Sequence, residues 1–592
     1  MNPIHYQLFL KNPHAHLFEI RCHVTNPDPN GQQFYLPTWT MGSYLIREFA
    51  RHIVDIRAES AKKPLKLVKI NKNTWKASHS QQPITIIYTI YAKELSVRTA
   101  YFDQHRAFFN GANVFLAVKG QESQLCTLDI QSLQTVKNFN IATMLPYLQE
   151  KNLYQTQNYG ELLDFPVEIS DFIKIDFIAA NIPHHIVISG QPQTDLKKLA
   201  NDVQKICEKM ITFFGEQPPF EKYLFLVHAT NNGYGGLEHQ NCCALICDRD
   251  DLPLLNQPQN IDNYQRLLGL FSHEYFHAWH VKKIKPKIFE QPDLNHENYT
   301  RQLWIFEGIT SYYDDLMLLR SYCISTNDYL TLVAQTITRV WRSIGRFKQS
   351  VAEASFDAWI KAYRPNENTP NSTISYYAKG ALIALALDLT LRLQSKISLD
   401  DIMLYLWKHY GQTEKGLQEG EFETIVEQLS NIDLKAFFER FVYGTEDPPL
   451  KNLLEQFGIS LQARSADSQQ DTGGKPSKLN KQSALGIRYK SEGDVLKITH
   501  VFNESSAEQA GLSANDIIVA INGFKATPAK LESCGLLEPN TVLEIHVFRY
   551  DELQQYSLIL QPAPLDTCVL FIEENAPIST IKKRQQWLEN ID

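Results

Sequence analysis

Hydrophobic and polar positions change their spacing along this chain, and the changes divide it into regions of different secondary structure. Up to about residue 170, short runs rich in Ile, Val, Thr, Tyr and Phe, such as Ile84–Tyr91 (ITIIYTIY), are separated by Asn, Pro and Gly. Such runs are typical of strands. We therefore expect an N-terminal all-β domain over residues 1–170.

The spacing becomes helical in the next region, residues 171–451. Apolar residues recur at three- and four-residue intervals over 195–214, and an extended run at 223–227 leads into a glycine-bearing turn, NNGYGG. Helical patterns then follow one another, and they cover residues 263–281, 300–320, 328–347, 376–393 and 400–410. Strands followed by helices predict an α+β domain that is mainly helical.

The pattern weakens after residue 451. Residues 463–483 (ARSADSQQDTGGKPSKLNKQS) contain no aromatic residue and little that a core could bury, which indicates a flexible loop or linker. Beyond this loop the sequence is again strand-like. We expect a small β module over residues 452–562, including the loop, and a C-terminal extension over residues 563–592.

Composition indicates a folded protein and removes several classes of function. The 592 residues are 43% apolar and 21% charged, and 58 Lys and Arg against 66 Asp and Glu give a net charge of −8. This is an ordinary globular composition, and it has no basic excess that would favour nucleic acid or an anionic membrane as a partner. No apolar run reaches the roughly 18 residues of a membrane span. The start, MNPIHYQLFL, does not resemble a signal peptide, so we expect a cytoplasmic protein.

Nine cysteines are scattered along the chain. An odd number without a framework-like spacing predicts free thiols in a reducing compartment. Cys242, Cys243 and Cys247 lie close together, but a zinc ribbon needs two separated pairs. We expect these three side chains to be buried thiols of a strand.

The sequence HEYFH at residues 273–277 matches the H-E-x-x-H pattern inside a helical region. On a helix, His273 and His277 share one face, so both imidazoles can reach one Zn²⁺ while Glu274 stands near a water on that ion. Zinc and the carboxylate together produce a nucleophile near neutral pH. The pattern also recurs by chance in long chains, where such histidines only pack or face solvent.

A catalytic zinc site usually has a third protein ligand, and Glu307 is the best candidate. It lies in the sequence LWIFEG, 30 residues after His277, which leaves room for a loop and a returning helix. Asp293, His296 and Glu297 are alternatives, but they lie in a connection that would hold a ligand less rigidly. Two imidazoles with one carboxylate suit zinc better than magnesium or calcium.

Four motifs follow one another along the chain: residues 36–51 (LPTWTMGSYLIREFAR), 235–239 (GGLEH), 273–286 (HEYFHAWHVKKIKP) and 303–313 (LWIFEGITSYY). Together they resemble the glycyl aminopeptidase family of gluzincin metallopeptidases, which carries a PDZ domain. The resemblance implies a thermolysin-like catalytic domain, zinc ligands at His273, His277 and Glu307, and a general base at Glu274. His280 departs from the family pattern, in which we expect Asn, but it leaves these residues in place.

The resemblance also implies a donor for the oxyanion that forms when a peptide bond is attacked. In related aminopeptidases this donor is a Tyr in a Tyr-x-Lys-Gly sequence at the start of a helix. Residues 376–380 (YYAKG) match that sequence with Tyr377 in register. Tyr376 is the alternative donor. In the other interpretation, both tyrosines are core residues of an amphipathic helix and donate to no substrate.

Residues 235–239 resemble an exopeptidase motif in which an edge strand pairs with the substrate and a carboxylate binds its free amine. Gly235 and Gly236 would let the substrate backbone approach closely, and Glu238 is the expected amine anchor. The resemblance further implies a preference for a small N-terminal residue, Gly or Ala. The β domain is expected to wall one side of the cleft. Its segment 39–47 (WTMGSYLIR) either reaches the site or serves in packing, and we favour packing.

The last module resembles a PDZ domain. Residues 484–487 (ALGI) are similar to its carboxylate-binding loop, and residues 506–523 (SAEQAGLSANDIIVAING) are similar to the helix, turn and strand before its hairpin. The resemblance implies that backbone N–H groups at Leu485, Gly486 and Ile487 bind the C-terminus of a peptide. A PDZ fold that only packs against the peptidase and binds nothing is the alternative.

These observations predict a three-domain aminopeptidase that holds one Zn²⁺ per chain and acts on peptides with a free N-terminus. Two other functions stay open. A zinc endopeptidase with the same ligands would cut peptides whose N-termini are blocked. A PDZ-centred peptide-binding protein with a vestigial peptidase would hydrolyse nothing, and the complete set of ligands and base argues against it.

Overall fold

The computed structural model describes residues 3–131, 139–148, 152–190, 192–255, 261–479, 481–493 and 495–589. The chain forms two compact units, the first from Met1–Asn298 and Leu406–Gly416, and the second from Tyr299–Tyr405 and Leu417–Asp592. The predicted fold class is confirmed, because an all-β region is followed by a mixed, mainly helical region and then by a β-rich module. The helical region contributes residues to both units.

Strands make up nearly all of the N-terminal region, where apolar residues alternate with polar ones. In Leu17–Val24, for example, every second side chain is buried, as one face of a sheet requires. The elements are β1 (Ile4–Asn12), β2 (Leu17–Val24), β3 (Gln33–Tyr35), β4 (Ile53–Ser60), β5 (Lys63–Leu65), β6 (Leu67–Lys69), β7 (Thr74–Ala77), β8 (Ile84–Tyr91), β9 (Ala100–Phe102), β10 (Arg106–Phe109), β11 (Ala117–Val118), β12 (Cys126–Gln131), β13 (Asn140–Ala142), β14 (Leu153–Thr156), α1 (Tyr159–Leu163) and β15 (Val167–Ser170).

Three sheets are formed by these strands in the described ranges. One has the order β14-β12-β1-β2-β8-β4-β5, and the two smaller ones have the orders β13-β15-β10-β9 and β11-β3-β7-β6. In the large sheet, β1 pairs parallel with β12 and antiparallel with β2. The inner faces of these sheets contribute most of one large apolar core.

The rest of the first unit is a five-stranded sheet with two long helices. Its elements are β16 (Ile173–Ala179), β17 (Ile182–Ser189), α2 (Leu196–Phe213), β18 (Tyr223–Thr230), β19 (Gly235–Glu238), β20 (Cys242–Asp248) and α3 (Ile261–Phe276). The strand order is β16-β17-β18-β20-β19, with β17, β18 and β20 parallel and β19 antiparallel to β20 at the sheet edge. Leu224, Leu237 and Ala244 of this sheet belong to the same core as the N-terminal strands, so β19 is packed against the β domain.

Buried thiols lie in the middle of this sheet. Cys242, Cys243 and Cys247 belong to β20 and are fully buried. All nine cysteines carry free thiols. The expected free thiols, and the expected buried thiols of a strand, are therefore both present.

Helices make up the first part of the second unit. They are α4 (Thr310–Arg320), α5 (Thr326–Trp341), α6 (Val351–Phe356), α7 (Thr369–Ser372), α8 (Tyr376–Gln394), α9 (Leu399–Leu406), α10 (Glu421–Ser430), α11 (Lys435–Phe441) and α12 (Leu450–Glu455). The helical pattern predicted over 300–320 begins with a π-helical turn at Trp304–Ile309, which continues into α4. A second π turn, Trp407–Gly411, follows α9 along the chain and belongs to the first unit.

The C-terminal module is a sheet with short helices at its edges. Its elements are β21 (Ile459–Arg464), β22 (Ser483–Ala484), β23 (Ile487–Glu492), β24 (Val495–Val501), α13 (Ser506–Ala510), β25 (Ile517–Ile521), β26 (Phe524–Lys525), α14 (Pro528–Cys534), β27 (Val542–Arg549), β28 (Glu552–Ile559), β29 (Gln561–Pro562), β30 (Thr567–Ile572) and α15 (Ile578–Leu588). The main sheet has the order β23-β24-β25-β27-β28 and encloses a separate apolar core.

The first strand of this module, β21, pairs antiparallel with its last strand, β30, so the chain enters and leaves the module at neighbouring positions. The segment after β30 then returns to the helices of the same unit. Trp587 of α15 donates its indole N–H to the hydroxyl of Tyr312 at 2.9 Å, and its carbonyl accepts from Arg320. The C-terminal extension is thus fixed by buried hydrogen bonds. Within the described ranges no helix is long and apolar enough to cross a membrane.

Candidate active site

The carboxyl end of α3 carries the two histidines of the H-E-x-x-H pattern. His273 and His277 are one helical turn apart, and their Nε2 atoms approach to 3.1 Å. The Nδ1 of His277 lies 2.7 Å from the carbonyl oxygen of His280. Because a carbonyl only accepts, Nδ1 carries the proton and Nε2 keeps a lone pair. The backbone therefore sets the tautomer that a metal ligand needs.

His280 contributes to this arrangement through its carbonyl group. Its side chain is buried and lies edge-on to the ring of Phe276. The hydrogen bond to His277 uses only the backbone, so the presence of His where the family pattern has Asn leaves that bond available.

Glu274 lies on the same turn, beneath the edge strand. Its side chain is buried, and within the described residues its Oε2 has no hydrogen-bond partner. Burial is the largest cause that raises the pKa of this carboxyl to about 7, and Glu238 acts in the same direction. His273, His277 and Arg98 oppose the shift. A buried carboxylate oxygen without a donor is costly, which is typical of a group whose partner is a ligand or a reacting molecule.

Glu238 ends β19 and is also buried. One ligand atom each from Glu238, Glu274 and His277 lie within 4.8 Å of one another. Two carboxylates and an imidazole from different elements thus meet in one buried cluster. The structure brings the predicted amine anchor beside the predicted base.

Glycines allow the backbone to approach these carboxylates. A Cβ at Gly236 would overlap the carboxylate of Glu274, and a Cβ at Gly42 would overlap that of Glu238. Gly42 has φ +79°, a left-handed conformation that favours glycine. It belongs to the segment 39–47 of the β domain, for which we expected mainly packing. This segment reaches the cluster.

Two further charged residues lie near the cluster, and no sequence motif had identified either of them. Arg98 donates from Nη2 to the carbonyl of Gly236 at 2.8 Å, although the two residues are 138 positions apart. Lys282 donates to Asp164 at 2.6 Å. Burial acts to lower the pKa of Lys282, but Asp164 and Glu238 together raise it above its usual value. Only the tertiary fold reveals both contacts.

Asp293 and His296, two of the alternative ligands, form a hydrogen-bonded pair with each other. The Nδ1 of His296 lies 2.9 Å from an oxygen of Asp293, and both side chains are largely exposed. The Asp293 oxygens also accept from the backbone N–H of Asn295. This local network is typical of a loop.

Glu307 lies within the π turn of the second unit and is 2% exposed. The turn packs closely on α8, because Gly308 and Gly380 face each other without room for a side chain. π turns are rare and occur frequently at functional sites. A charged residue at such a buried position needs a partner or an ion.

Tyr377 lies at the start of α8 in the same unit. Its ring is half-buried, whereas the neighbouring Tyr376 is 1% exposed. The Tyr377 hydroxyl is 3.3 Å from that of Tyr363. Desolvation, together with Glu307, raises the pKa of Tyr377 well above its usual range, so this hydroxyl stays a proton donor at neutral pH.

The loop predicted to bind a carboxylate borders a cavity of about 580 Å³ in the second unit. Leu485, Gly486 and Ile487 are part of its lining. Gly486 has φ +79°, and a Cβ there would overlap Ser505. The strand β23 begins at Ile487 and is an edge strand of its sheet, so this loop lies directly before that edge strand.

Three family profiles match the chain: the Peptidase M61 N-terminal domain at residues 5–171, M61 glycyl aminopeptidase at residues 266–383 and the PDZ domain at residues 476–540. A solved structure of an aminopeptidase N family protein from Idiomarina loihiensis is 39% identical, with a TM-score of 0.95. The match covers 99% of this chain and 100% of that chain. The chain belongs to the M61 glycyl aminopeptidase family. It is a zinc metallopeptidase with a C-terminal PDZ domain, as the resemblance of its motifs implied.

More distant similarity extends to an M1 zinc metallopeptidase from Deinococcus radiodurans. That structure is 12% identical with a TM-score of 0.46, and the match covers 76% of the M61 chain and 95% of the other. A comparison with curated protein sequences gave no match.

The residues of the first unit fit a zinc ion. His273 and His277 present Nε2 atoms that converge on one point, and the His277 tautomer leaves a lone pair there. Glu274 holds a buried oxygen without a partner in the described residues. Imidazole nitrogens are ligands that zinc prefers, and a carboxylate oxygen beside them is suited to act as a base on a water.

Proposed function

We propose that this M61 peptidase is an aminopeptidase that hydrolyses the first peptide bond of its substrates and prefers a small N-terminal residue, Gly or Ala. The observation that carries the proposal is the cluster of Glu238, Glu274 and His277 within 4.8 Å. A carboxylate so close to the predicted base can hold an α-ammonium only when the first bond is the one cleaved. This arrangement favours an aminopeptidase over an endopeptidase.

In the proposed site, His273, His277 and Glu307 hold one Zn²⁺ per chain. When bound, the ion supplies a Lewis acid that makes water nucleophilic near neutral pH. Glu274 accepts a proton from the attacking water at its buried Oε2 and passes it to the nitrogen of the leaving amine. Glu238 holds the α-ammonium of the substrate throughout.

Two further groups would orient the substrate and stabilise charge. Gly235 and Gly236 would let the substrate backbone lie along β19, which is an edge strand. Tyr377 would donate its O–H to the oxyanion. The partial exposure of Tyr377, compared with the buried Tyr376, supports this choice between the two tyrosines.

The role of Glu274 is tested by zinc analysis and by the rates of wild type and Glu274→Gln on Gly- and Ala-p-nitroanilide. We expect about one zinc per chain in both proteins and a kcat about 10²–10⁴-fold lower in the variant, the usual contribution of a general base. The isosteric amide keeps the packing beneath β19. Equal rates with zinc retained would remove Glu274 as the base.

A blocked substrate separates the two modes of peptidase action. Nα-acetyl-Gly-p-nitroanilide has no ammonium for Glu238, so an aminopeptidase leaves it intact. Hydrolysis of the acetylated compound at the rate of the free one would support an endopeptidase. Leu- and Phe-p-nitroanilide, compared with the Gly and Ala compounds, test the preference for a small first residue.

The PDZ domain is proposed to bind the free C-terminus of a peptide. The cavity of about 580 Å³ beside Leu485, Gly486 and Ile487 supports this assignment over a purely packing role. Backbone N–H groups of a glycine-containing loop before an edge strand are suited to a carboxylate.

A further inference from the structure

Charge is arranged in a definite order along β19. The guanidinium of Arg98 lies at the Gly235–Gly236 end, where Nη2 donates to the Gly236 carbonyl at 2.8 Å and Nη1 is 3.7 Å from the position of a Cβ at Gly235. The carboxylate of Glu274 lies beneath Gly236. Glu238 ends the strand. A cation beside the Gly236 carbonyl and two carboxylates, one beneath Gly236 and one at Glu238, thus lie within four residues of one strand.

The backbone of Arg98 is fixed by hydrogen bonds, whereas most N–H donors of its guanidinium are available to a ligand. The side-chain amide of Asn113 donates to the backbone carbonyl of Arg98 at 2.9 Å, and the backbone N–H of Arg98 donates to the Ser96 hydroxyl. Within the described residues, the Gly236 carbonyl is the acceptor of its guanidinium, and its buried Nε has none. A guanidinium has five N–H donors in a planar fork that matches a carboxylate. An incoming carboxylate would therefore find matching donors there.

The distance along β19 from Gly236 to Glu238 matches the length of a dipeptide. From Gly236 to Glu238 is two residues of a strand, about 7 Å at the usual rise. The ammonium and carboxylate of an extended dipeptide are separated by the same two residues, about 7 Å at most. A dipeptide whose ammonium lies at Glu238 would bring its carboxylate to the region of Arg98, with its one peptide bond near Glu274.

We propose that Arg98 binds the C-terminal carboxylate of dipeptides, so that the enzyme is selective for dipeptides with a small first residue over longer or amidated peptides. The inference rests on the proposed aminopeptidase function and names its substrate class. One water is consumed: its oxygen joins the carbonyl carbon, the C–N bond breaks, and the leaving nitrogen takes the proton. Two free amino acids result.

The test compares Gly-Phe with Gly-Phe-NH₂, which differ only in the carboxylate. For wild type we expect kcat/KM to be about 30-fold or more higher for Gly-Phe, because a charge-assisted pair contributes about 2 kcal/mol or more. In Arg98→Gln the value for Gly-Phe should fall by about that factor more than the value for Gly-Phe-NH₂, because only Gly-Phe loses a contact to its carboxylate. The ratio of the two substrates should approach one.

Two controls keep the outcomes distinct. Arg51→Gln removes an exposed arginine of the same domain that pairs with Glu94, and it should leave the ratio unchanged. If Arg98 only positions β19, Arg98→Gln will slow both substrates equally, which overturns the proposal. Equal wild-type values for the two substrates would overturn it as well. Hydrolysis of Gly-p-nitroanilide, which has no carboxylate, reports separately whether the enzyme is an aminopeptidase at all.

Discussion

Single residues determine how closely the β domain approaches the predicted amine anchor. Gly42 stands against Glu238 with φ +79°, and no side chain fits between them. Gly236 stands against Glu274 in the same way. These two contacts hold the carboxylates in fixed positions, and such precision matters because a displacement of about 1 Å can reduce a rate about 100-fold.

The variant Gly42→Ala tests the contact with Glu238. Its Cβ would overlap the carboxylate, so Glu238 must move away from the substrate ammonium. We expect kcat/KM for Gly-p-nitroanilide to fall at least about 10-fold, together with a loss of about 1–2 kcal/mol in stability from the left-handed backbone. Steady-state kinetics and thermal unfolding measure the two effects.

A matched control is Gly120→Ala. Gly120 has φ +83°, and a Cβ there meets nothing within 4 Å. It carries the same backbone strain without the steric contact. Equal activity losses in the two variants would show that strain, and not the position of Glu238, is responsible.

Elements differ in how far their sequence pattern determines their role. The helix α3 follows from its apolar spacing, and the i, i+4 histidines share a face wherever such a helix forms. The π turn at Trp304–Ile309 does not follow from spacing, because all its residues are buried, the charged Glu307 among them, and no helical period of apolar and polar residues is visible. The loop before β23 depends on one glycine in the left-handed conformation, Gly486.

This loop gives a prediction for the PDZ domain. In Gly486→Ala the new Cβ would overlap Ser505 and displace the backbone N–H groups beside the cavity. Binding can be measured on an array of heptapeptides, each present with a free and with an amidated C-terminus. We expect wild type to bind only free carboxylates and the variant to bind at least about 10-fold more weakly.

Gly493→Ala is the control for this loop, since Gly493 has φ +61° in the same module and open space around it. It should bind like wild type. Equal binding of amidated peptides by wild type would exclude recognition of the carboxylate.

The first unit has one large core, shared by the β domain and one face of the five-stranded sheet, and buried polar contacts join its other parts. His184 of β17 is one such contact: its Nδ1 donates to the Ile182 carbonyl at 2.8 Å, so its Nε2 accepts from the Tyr275 hydroxyl at 2.8 Å. Tyr275 belongs to α3, so this bond joins the sheet to the helix of the predicted zinc ligands. Burial lowers the pKa of His184 to about 4.

Stability should therefore fall on mild acidification. Below about pH 6.5 the unfolded chain binds a proton at this histidine, but the folded chain does so only near pH 4. The free energy of unfolding decreases across this window by about 3 kcal/mol. Urea denaturation between pH 7 and pH 4 measures the decrease, and His184→Gln should remove this part of it. Tyr275→Phe should lower stability at pH 7 and keep the pH dependence, because burial is the main cause of the shift.

Much of the fold and part of the candidate site were predictable. Strand-like runs before residue 170, helical spacing after it and the PDZ-like segments predicted the three regions, and the four motifs identified the family. The assignments of the zinc ligands, Glu274, Tyr377 and Glu238 stay predictions. For segment 39–47 the sequence left two roles open, reaching the site or packing, and we favoured packing. The approach of Gly42 to Glu238 supports the other role, and no periodicity records such contacts between distant segments.

The sequence by itself determined what depends on neighbours along the chain. Helical periodicity places His273 and His277 on one face, and a Gly-Gly pair marks a strand that another backbone can approach. The tertiary structure alone decided that Gly42 and Arg98 of the β domain meet β19, and that the His280 carbonyl sets the tautomer of His277. The physical reason is that these contacts arise when sheets and helices pack their apolar faces against one another, and that packing joins residues far apart in sequence.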